Sequence, residues 1–323
     1  MDVARVQIAP FAEHGGRIDR ARAAMPAVRD WIDLSTGLAP WAYPAVIDMA
    51  ALERLPDPAA LAALEQSAAA AFGSHPARTV AVPGSDLALR LLGQMLPGRA
   101  AVLGRGYSGH VAMWPVTPER IAAPENCDAG TLILARPNNP DGAMIAVERL
   151  PRTGTVIVDE AFVDATPSDS LAGEETPGLI VLRSFGKFYG LAGLRLGFVI
   201  APEGVCAGLR RLLGDWPIGS MAITIGTAAY RDTAWQSAQR ERLHVAMSHL
   251  DALLTAAGLT IAGGTAFFRL VETPARDALF AHLLAAGILT RPFTDRPHHL
   301  RLGLPRDDDW PTLTNALAQW SGS

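Results

Sequence analysis

Most of what marks other protein classes is missing from this chain. Its 323 residues include two cysteines, Cys127 and Cys206, and no Cys-x-x-Cys pair. That excludes a disulfide framework and a thiolate metal site, and both cysteines read as small packing residues suited to a reducing compartment. Neither the histidines nor the carboxylates show metal-ligand spacing, so no metal is expected. No uncharged apolar run approaches the ~20 residues of a membrane-spanning helix. Met1-Asp2-Val3-Ala4-Arg5 has no long apolar h-region, so no signal peptide is expected. The formal net charge is only −4 and no polybasic face is visible. Nucleic-acid and anionic-membrane binding therefore have no support. There is no repeat of fixed period and no low-complexity linker. The expectation is a cytoplasmic protein that acts on small molecules, with any anionic substrate held by a few local arginines.

What is present is a large apolar fraction, 49%, in a chain long enough for two domains. Ala59 to Phe72 has helical spacing and Gly73 ends it. Thr79-Val80-Ala81-Val82 reads as a strand, with Gly84-Ser85-Asp86 turning it into a helix that runs through Leu96. Further strands are expected at 100–103, 131–135, 155–159, 179–183 and 196–201. This alternation implies an α/β fold with a mostly parallel sheet. Beyond residue 220 the pattern changes to a long helix, Met221 to Ala257, broken near Asp232. Strands at 265–271, 287–292 and 299–304 and a helix at 275–286 follow, which suggests a smaller α+β domain.

The most informative stretch runs from Ser184-Phe185-Gly186-Lys187 to Arg195-Leu196-Gly197, after the apolar strand Leu179-Ile180-Val181-Leu182. A lysine amine in an apolar, glycine-rich setting suits Schiff-base chemistry, because desolvation frees its lone pair. Ser184 and Arg195 can bind the phosphate of an aldehyde cofactor, which points to pyridoxal phosphate on Lys187. Two upstream segments support this: Ala135-Arg136-Pro137-Asn138-Asn139-Pro140-Asp141-Gly142 and Val156-Ile157-Val158-Asp159-Glu160-Ala161-Phe162. Asp159 stands at the C-terminal end of a strand, where α/β proteins place ligand contacts, and can pair with a protonated pyridine nitrogen. Asn139 can hydrogen-bond the ring's phenolic oxygen. Gly84-Ser85-Asp86 opens a helix and is either an anion site or a simple capping turn.

The order Asn139, Asp159, Lys187, Arg195 resembles the class I/II aminotransferase family, over nearly the whole chain. The resemblance implies the fold-type I pyridoxal-phosphate-dependent transferase fold and a homodimer. It also implies a large cofactor-binding domain at 33–220, with 1–32 and 221–323 forming the small one. Lys187, Asp159 and Tyr107 would be the catalytic residues, with Tyr107 stacking on the ring. Gly84, Ser85, Asp86, Tyr107, Asn139, Asp159, Ser184, Lys187 and Arg195 would bind the cofactor. Arg301, in His299-Leu300-Arg301-Leu302-Gly303, matches the arginine that holds a substrate carboxylate.

Two positions depart from the family pattern. Phe162 replaces a tyrosine that donates to the phenolate oxygen, and Leu55 replaces one that reaches the neighbouring subunit's cofactor phosphate. Glu13-His14-Gly15-Gly16, Trp31-Ile32-Asp33-Leu34-Ser35-Thr36-Gly37, Pro40-Trp41-Ala42-Tyr43-Pro44 and Tyr107-Ser108-Gly109-His110 resemble the threonine-phosphate decarboxylase branch, within the histidinol-phosphate aminotransferase group. The expected substrate is therefore a phosphorylated amino acid, with histidinol-phosphate aminotransferase the alternative activity. His14, Ser35, Thr36 and His110 are candidate substrate contacts. His14 can equally belong to a turn, and His110 can equally be a satisfied core histidine.

Overall fold

The computed structural model describes residues 7–46, 48–112 and 114–322. The expectation for Met1–Arg5 lies outside these. The chain forms two compact units: a larger one of residues 42–139 and 143–240, and a smaller one of residues up to 41, 140–142 and from 241 on. The divisions expected at 33 and 220 thus fall later, at 42 and 240. The cause is visible inside the larger unit. Tyr43 N–H donates to the Tyr189 carbonyl at 2.9 Å. Gln239 Nε2 donates to the Phe188 carbonyl at 3.0 Å and Arg240 Nε to the Asp164 carbonyl at 2.9 Å.

Strand β1 (Ile32–Asp33) belongs to the smaller unit. The larger unit holds β2 (Thr79–Val82), β3 (Ala100–Leu103), β4 (Glu119–Ile121), β5 (Thr131–Ala135), β6 (Thr155–Asp159), β7 (Leu179–Ser184) and β8 (Gly197–Ile200). They form one seven-stranded sheet in the order β2-β8-β7-β6-β5-β3-β4. Only β8 runs antiparallel to its neighbours. The short β4 has two exposed residues of three and was not foreseen. Side chains alternate across this sheet. Ile133, Ile157, Ile180 and Leu182 pack on one face with Leu89, Leu92 and Leu209. Phe198 takes the opposite face, in edge-on contact with Phe72 and Tyr230.

Helix Pro58–Phe72 is capped by the Asp57 side chain, which accepts from Ala59 N–H at 2.8 Å. It ends as expected at Gly73, whose φ of +68° suits a residue without Cβ. Its buried Glu65 reaches edge strand β2, accepts from Ala81 N–H at 2.9 Å, and is gripped by both Nη atoms of Arg210. A further pair of helices, Ser220–Arg231 and Thr233–Ala256, breaks at Asp232 as expected.

In the smaller unit, β9 (Thr260–Thr265), β10 (Phe268–Glu272), β12 (Arg291–Pro292) and β13 (His299–Gly303) form an antiparallel sheet, and β11 (Ile288–Leu289) pairs in parallel with β1. The strand expected at 265–271 is β10, and an arm not foreseen, β9, precedes it to make a hairpin. Its first arm carries Gly263-Gly264, which weakened the apolar pattern. Those glycines are needed: a Cβ on Gly263 would lie 2.3 Å from the Asp141 carbonyl oxygen. Gly264 N–H donates to that same oxygen at 3.0 Å. This is why Pro140–Gly142 belongs to the smaller unit. Among the described residues no helix is long and apolar enough to cross a membrane.

Candidate active site

Sheet topology gathers the predicted cofactor residues along one edge of the larger unit. The C-terminal ends of β2, β3, β5, β6 and β7 lead to Gly84, Tyr107, Asn139, Asp159 and Lys187. Because β8 runs the other way, its start brings Arg195 to the same edge. Strand ends of this kind are the usual ligand edge of an α/β sheet.

Lys187 lies half-buried on the short helix Phe185–Phe188, which opens where β7 stops. Its Nζ is 5.6 Å from the centroid of the Phe162 ring. Tight packing fixes this turn, since a Cβ on Gly186 would come within 2.6 Å of Ala192 Cα. Lys187 is also the only lysine in the whole sequence, every other basic position outside histidine being arginine. Arginine keeps its charge at all accessible pH values, whereas a lysine can yield a free amine. The composition retains that amine at one position.

Asp159 is 6% exposed. Its Oδ2 is 2.9 Å from His110 Nε2, and its Oδ1 accepts from Ala161 N–H at 3.0 Å. A carboxylate oxygen accepts, so Nε2 carries the proton. His110 is 1% exposed. Its ring nitrogen thus faces Asp159, which fits the other expectation for this residue, a satisfied core histidine. Tyr107 packs edge-on against His110 at 5.4 Å and donates its hydroxyl to Asp86 Oδ1 at 2.8 Å. Asp86 also lies 3.8 Å from Arg90 Nε. Its carboxylate thus orients Tyr107, leaving only its backbone N–H for an anion.

The turn before helix Ser85–Met95 fits a phosphate. Gly84 has φ +89°, and a Cβ there would stand 2.8 Å from Arg195 Nη2. A Cβ on Gly197 would lie 2.8 Å from Ser85 N. A guanidinium and the first turn of an eleven-residue helix thus meet where only glycine fits. Arg195 has φ +53° and is the one described non-glycine residue in the left-handed region. Such strain concentrates at functional positions. An anion cradle, a buried carboxylate, an aromatic face and a lone amine match the phosphate, ring nitrogen, ring and aldehyde of pyridoxal phosphate. Asn139 is half-buried at the end of the β5 loop, and Ser184 is half-buried at the end of β7.

In the smaller unit, Arg301 is 2% exposed on β13. Its Nη2 donates to the Ser35 carbonyl at 2.5 Å, and its guanidinium lies 4.8 Å from the Phe268 centroid. Burial, and then the neighbouring Arg291, push its pKa well below the ordinary value, while Asp33 opposes them. Arg291 is its direct cross-strand partner and donates to the Glu13 carbonyl at 3.1 Å. The sequence reading missed Arg291, because strand register is needed to see the pair. Two arginines side by side favour an anion.

Ser35 is 2% exposed. Its hydroxyl donates to Asp33 Oδ1 at 2.5 Å and accepts from Gly16 N–H at 2.7 Å. Its carbonyl faces Arg301. The glycines after His14 serve this turn: a Cβ on Gly15 would stand 2.4 Å from the Ser35 carbonyl oxygen. His14 is exposed and Thr36 half-buried. Among the described residues no group of three or more metal-ligating side chains forms.

Residues 119–315 match the family model described as aminotransferase class I and II. A threonine-phosphate decarboxylase of Pseudomonas aeruginosa is 39% identical, over 94% of this chain and 97% of its own length. One from Sinorhizobium is 38% identical, over 91% and 93%. A histidinol-phosphate aminotransferase of Mycobacterium bovis is 32% identical over 60% of this chain and 56% of its own. The crystal structure of histidinol-phosphate aminotransferase from Sinorhizobium meliloti, in complex with pyridoxal-5'-phosphate, superposes with a TM-score of 0.78. At 20% identity, over 93% of this chain and 92% of that one, it shows the same fold. By the family match and the two near-full-length relatives, the chain belongs to the class I and II aminotransferase family.

Proposed function

We propose that this enzyme uses pyridoxal phosphate to decarboxylate O-phospho-L-threonine, giving (R)-1-amino-2-propanol O-phosphate for cobalamin synthesis. The observation that carries the choice is the extent of similarity. Relatives named threonine-phosphate decarboxylase align over more than nine-tenths of the chain, whereas the histidinol-phosphate aminotransferase of M. bovis aligns over 60%. Phe162 and Leu55 point the same way.

When bound, pyridoxal phosphate supplies an aldehyde that condenses with amines and a ring that accepts the electrons left by carbon dioxide. Lys187 would hold it through Nζ, and its amine could return a proton to the substrate Cα. Asp159, hydrogen-bonded to His110, would hold the proton on the pyridine nitrogen. Gly84, Ser85 and Asp86 (through backbone N–H groups), Ser184 and Arg195 bind the phosphate. Asn139 would donate to the phenolic oxygen, which Phe162 cannot do. Arg301 binds the substrate carboxylate, and Arg291 adds a second positive charge for a substrate with two anionic groups. The working form is a homodimer, supported by the exposed apolar run Val46, Met49, Leu52 and Leu55.

The test is an assay of loaded enzyme with O-phospho-L-threonine, with and without 2-oxoglutarate. Release of carbon dioxide and the amine, independent of the oxo acid, is expected. Glutamate formation without carbon dioxide would assign an aminotransferase instead.

A further inference from the structure

Directly behind the cofactor residues lies a buried ionic cluster that the mechanism above does not use. Asp159 and Glu160 are successive at the end of β6, and Arg183 and Ser184 are successive at the end of β7. Alternation sends Asp159 to one face of the sheet and Glu160 to the other, and likewise Ser184 and Arg183. The two side chains on the reverse face meet. Glu160 is 0% exposed and Arg183 2% exposed, with Nη1 of Arg183 3.7 Å from Glu160 Oε2.

Most polar atoms of this cluster are paired, although Arg183 Nε and Asp164 Oδ2 are buried without a hydrogen-bond partner. Glu160 Oε2 accepts from Ser170 Oγ at 2.6 Å, and Oε1 accepts from Leu171 N–H at 2.6 Å. Arg183 Nη1 donates to Ser170 Oγ at 3.0 Å, while Nη2 forms an ion pair with Asp164. The Arg183 guanidinium also lies over the Phe72 ring at 4.3 Å. Backbone hydrogen bonding joins the same two strand tips, since Glu160 N–H donates to the Leu182 carbonyl at 2.9 Å. Burying three charges costs more than an apolar core of the same volume, so stability alone gives a weak reason for them. Registry between two strand tips is a reason that an apolar core does not supply.

We infer that Glu160, Arg183 and Asp164 are positioning residues that fix Asp159 relative to Ser184 and Lys187. They lock the two strand ends together from the face opposite the cofactor. The inference rests on the cofactor reading proposed above. Burial raises the Glu160 pKa, whereas Arg183 and the bonds from Ser170 and Leu171 oppose the shift.

The experiment compares wild type with Glu160→Gln and Arg183→Lys. Thermal unfolding, the cofactor dissociation constant and the visible circular dichroism of the bound cofactor are measured on each. A glutamine at 160 keeps the side-chain length and can still accept from Leu171 N–H, so the variant removes the charge without emptying the site. Both variants are expected to fold, to hold cofactor about tenfold more weakly, and to lose visible ellipticity, with kcat/KM falling ~10–100-fold. A lowered unfolding temperature with unchanged cofactor affinity and ellipticity would mean a purely structural cluster and would overturn the inference. If Arg183→Lys does not fold, Glu160→Gln decides by the same readouts. A wild-type protein that takes up no cofactor overturns the underlying reading and this one with it. Loaded wild type with unaltered variants overturns this one alone.

Discussion

His110 Nε2 and Asp159 Oδ2 stand 2.9 Å apart, both side chains nearly sealed from solvent. A buried carboxylate costs free energy unless it is hydrogen-bonded, and the imidazole shares that task with the Ala161 N–H. Replacing His110 by phenylalanine keeps the ring volume and removes the donor. The expected result is weaker cofactor retention and a fall in kcat of about tenfold or more, since a lost bond to a charged group is worth ~1.5–3 kcal/mol. Equilibrium dialysis against free pyridoxal phosphate measures the first and steady-state kinetics the second. Unchanged values of both would reduce His110 to packing.

Because Lys187 is the sole lysine, borohydride reduction of loaded protein has one internal target. Peptide mass mapping should find a single reduced cofactor adduct, on the peptide carrying Lys187, and Lys187→Ala should abolish it. Retained adduct elsewhere on the variant would remove Lys187 from its proposed role.

Arg291 and Arg301 lie side by side in cross-strand register. Arg291→Met should raise KM for the phosphorylated substrate with kcat less affected, by ~10–100-fold if a charge-assisted bond worth ~1.5–3 kcal/mol is lost. Arg301→Lys should reduce kcat/KM further, since an ammonium cannot reproduce a two-pronged grip on a carboxylate. Initial-rate measurements over a range of substrate distinguish the two. A change in kcat alone for Arg291→Met would place it outside substrate binding.

Val46, Met49, Leu52 and Leu55 are each more than half exposed, close together in the chain. Leu52→Asp with Leu55→Asp is expected to shift the protein from dimer to monomer in light scattering coupled to gel filtration. A wild type already monomeric at micromolar concentration would withdraw the dimer.

The two thiols should differ in reactivity. Burial pushes the Cys206 thiol from its ordinary 9.0 up to about 11, although the Ala201 backbone and nearby Arg210 oppose this. Cys127 is only partly buried. A disulfide reagent at pH 8 should therefore modify Cys127 in the folded protein and Cys206 only on unfolding. The raised value also signs the pH dependence. Folding prefers the neutral thiol, so its contribution is complete below pH 9.0 and is lost as pH climbs toward about 11. The stability difference between wild type and Cys206→Ala should be constant below that window and change within it. Rapid labelling of Cys206 in native protein would contradict its burial.

Legibility in the sequence followed locality. Helix Pro58–Phe72, its Gly73 stop and the strands bearing Asp159 and Lys187 depend on neighbouring residues, and all were readable from periodicity and turn chemistry. The β9–β10 hairpin was not, because Gly263 and Gly264 serve a contact with Asp141, distant in sequence. The same distinction holds in the site. Lys187 and Asp159 announce themselves through their own segments. The roles of His110, Ser35, Arg291 and Arg183 depend on a partner that only the folded chain supplies. The solitary status of Lys187 needed no fold and was available from a count.

Glu65 carries a consequence beyond its own helix. Strand β2 ends the large sheet, and the outward Ala81 N–H is already taken by the Glu65 carboxylate, itself held by Arg210. A free N–H at a sheet margin is an invitation for a second chain to add a strand. Here the margin is occupied by an anion that would have to be pulled from its arginine first. The margin is thereby guarded against strand-by-strand polymerisation, leaving association to surfaces built of side chains.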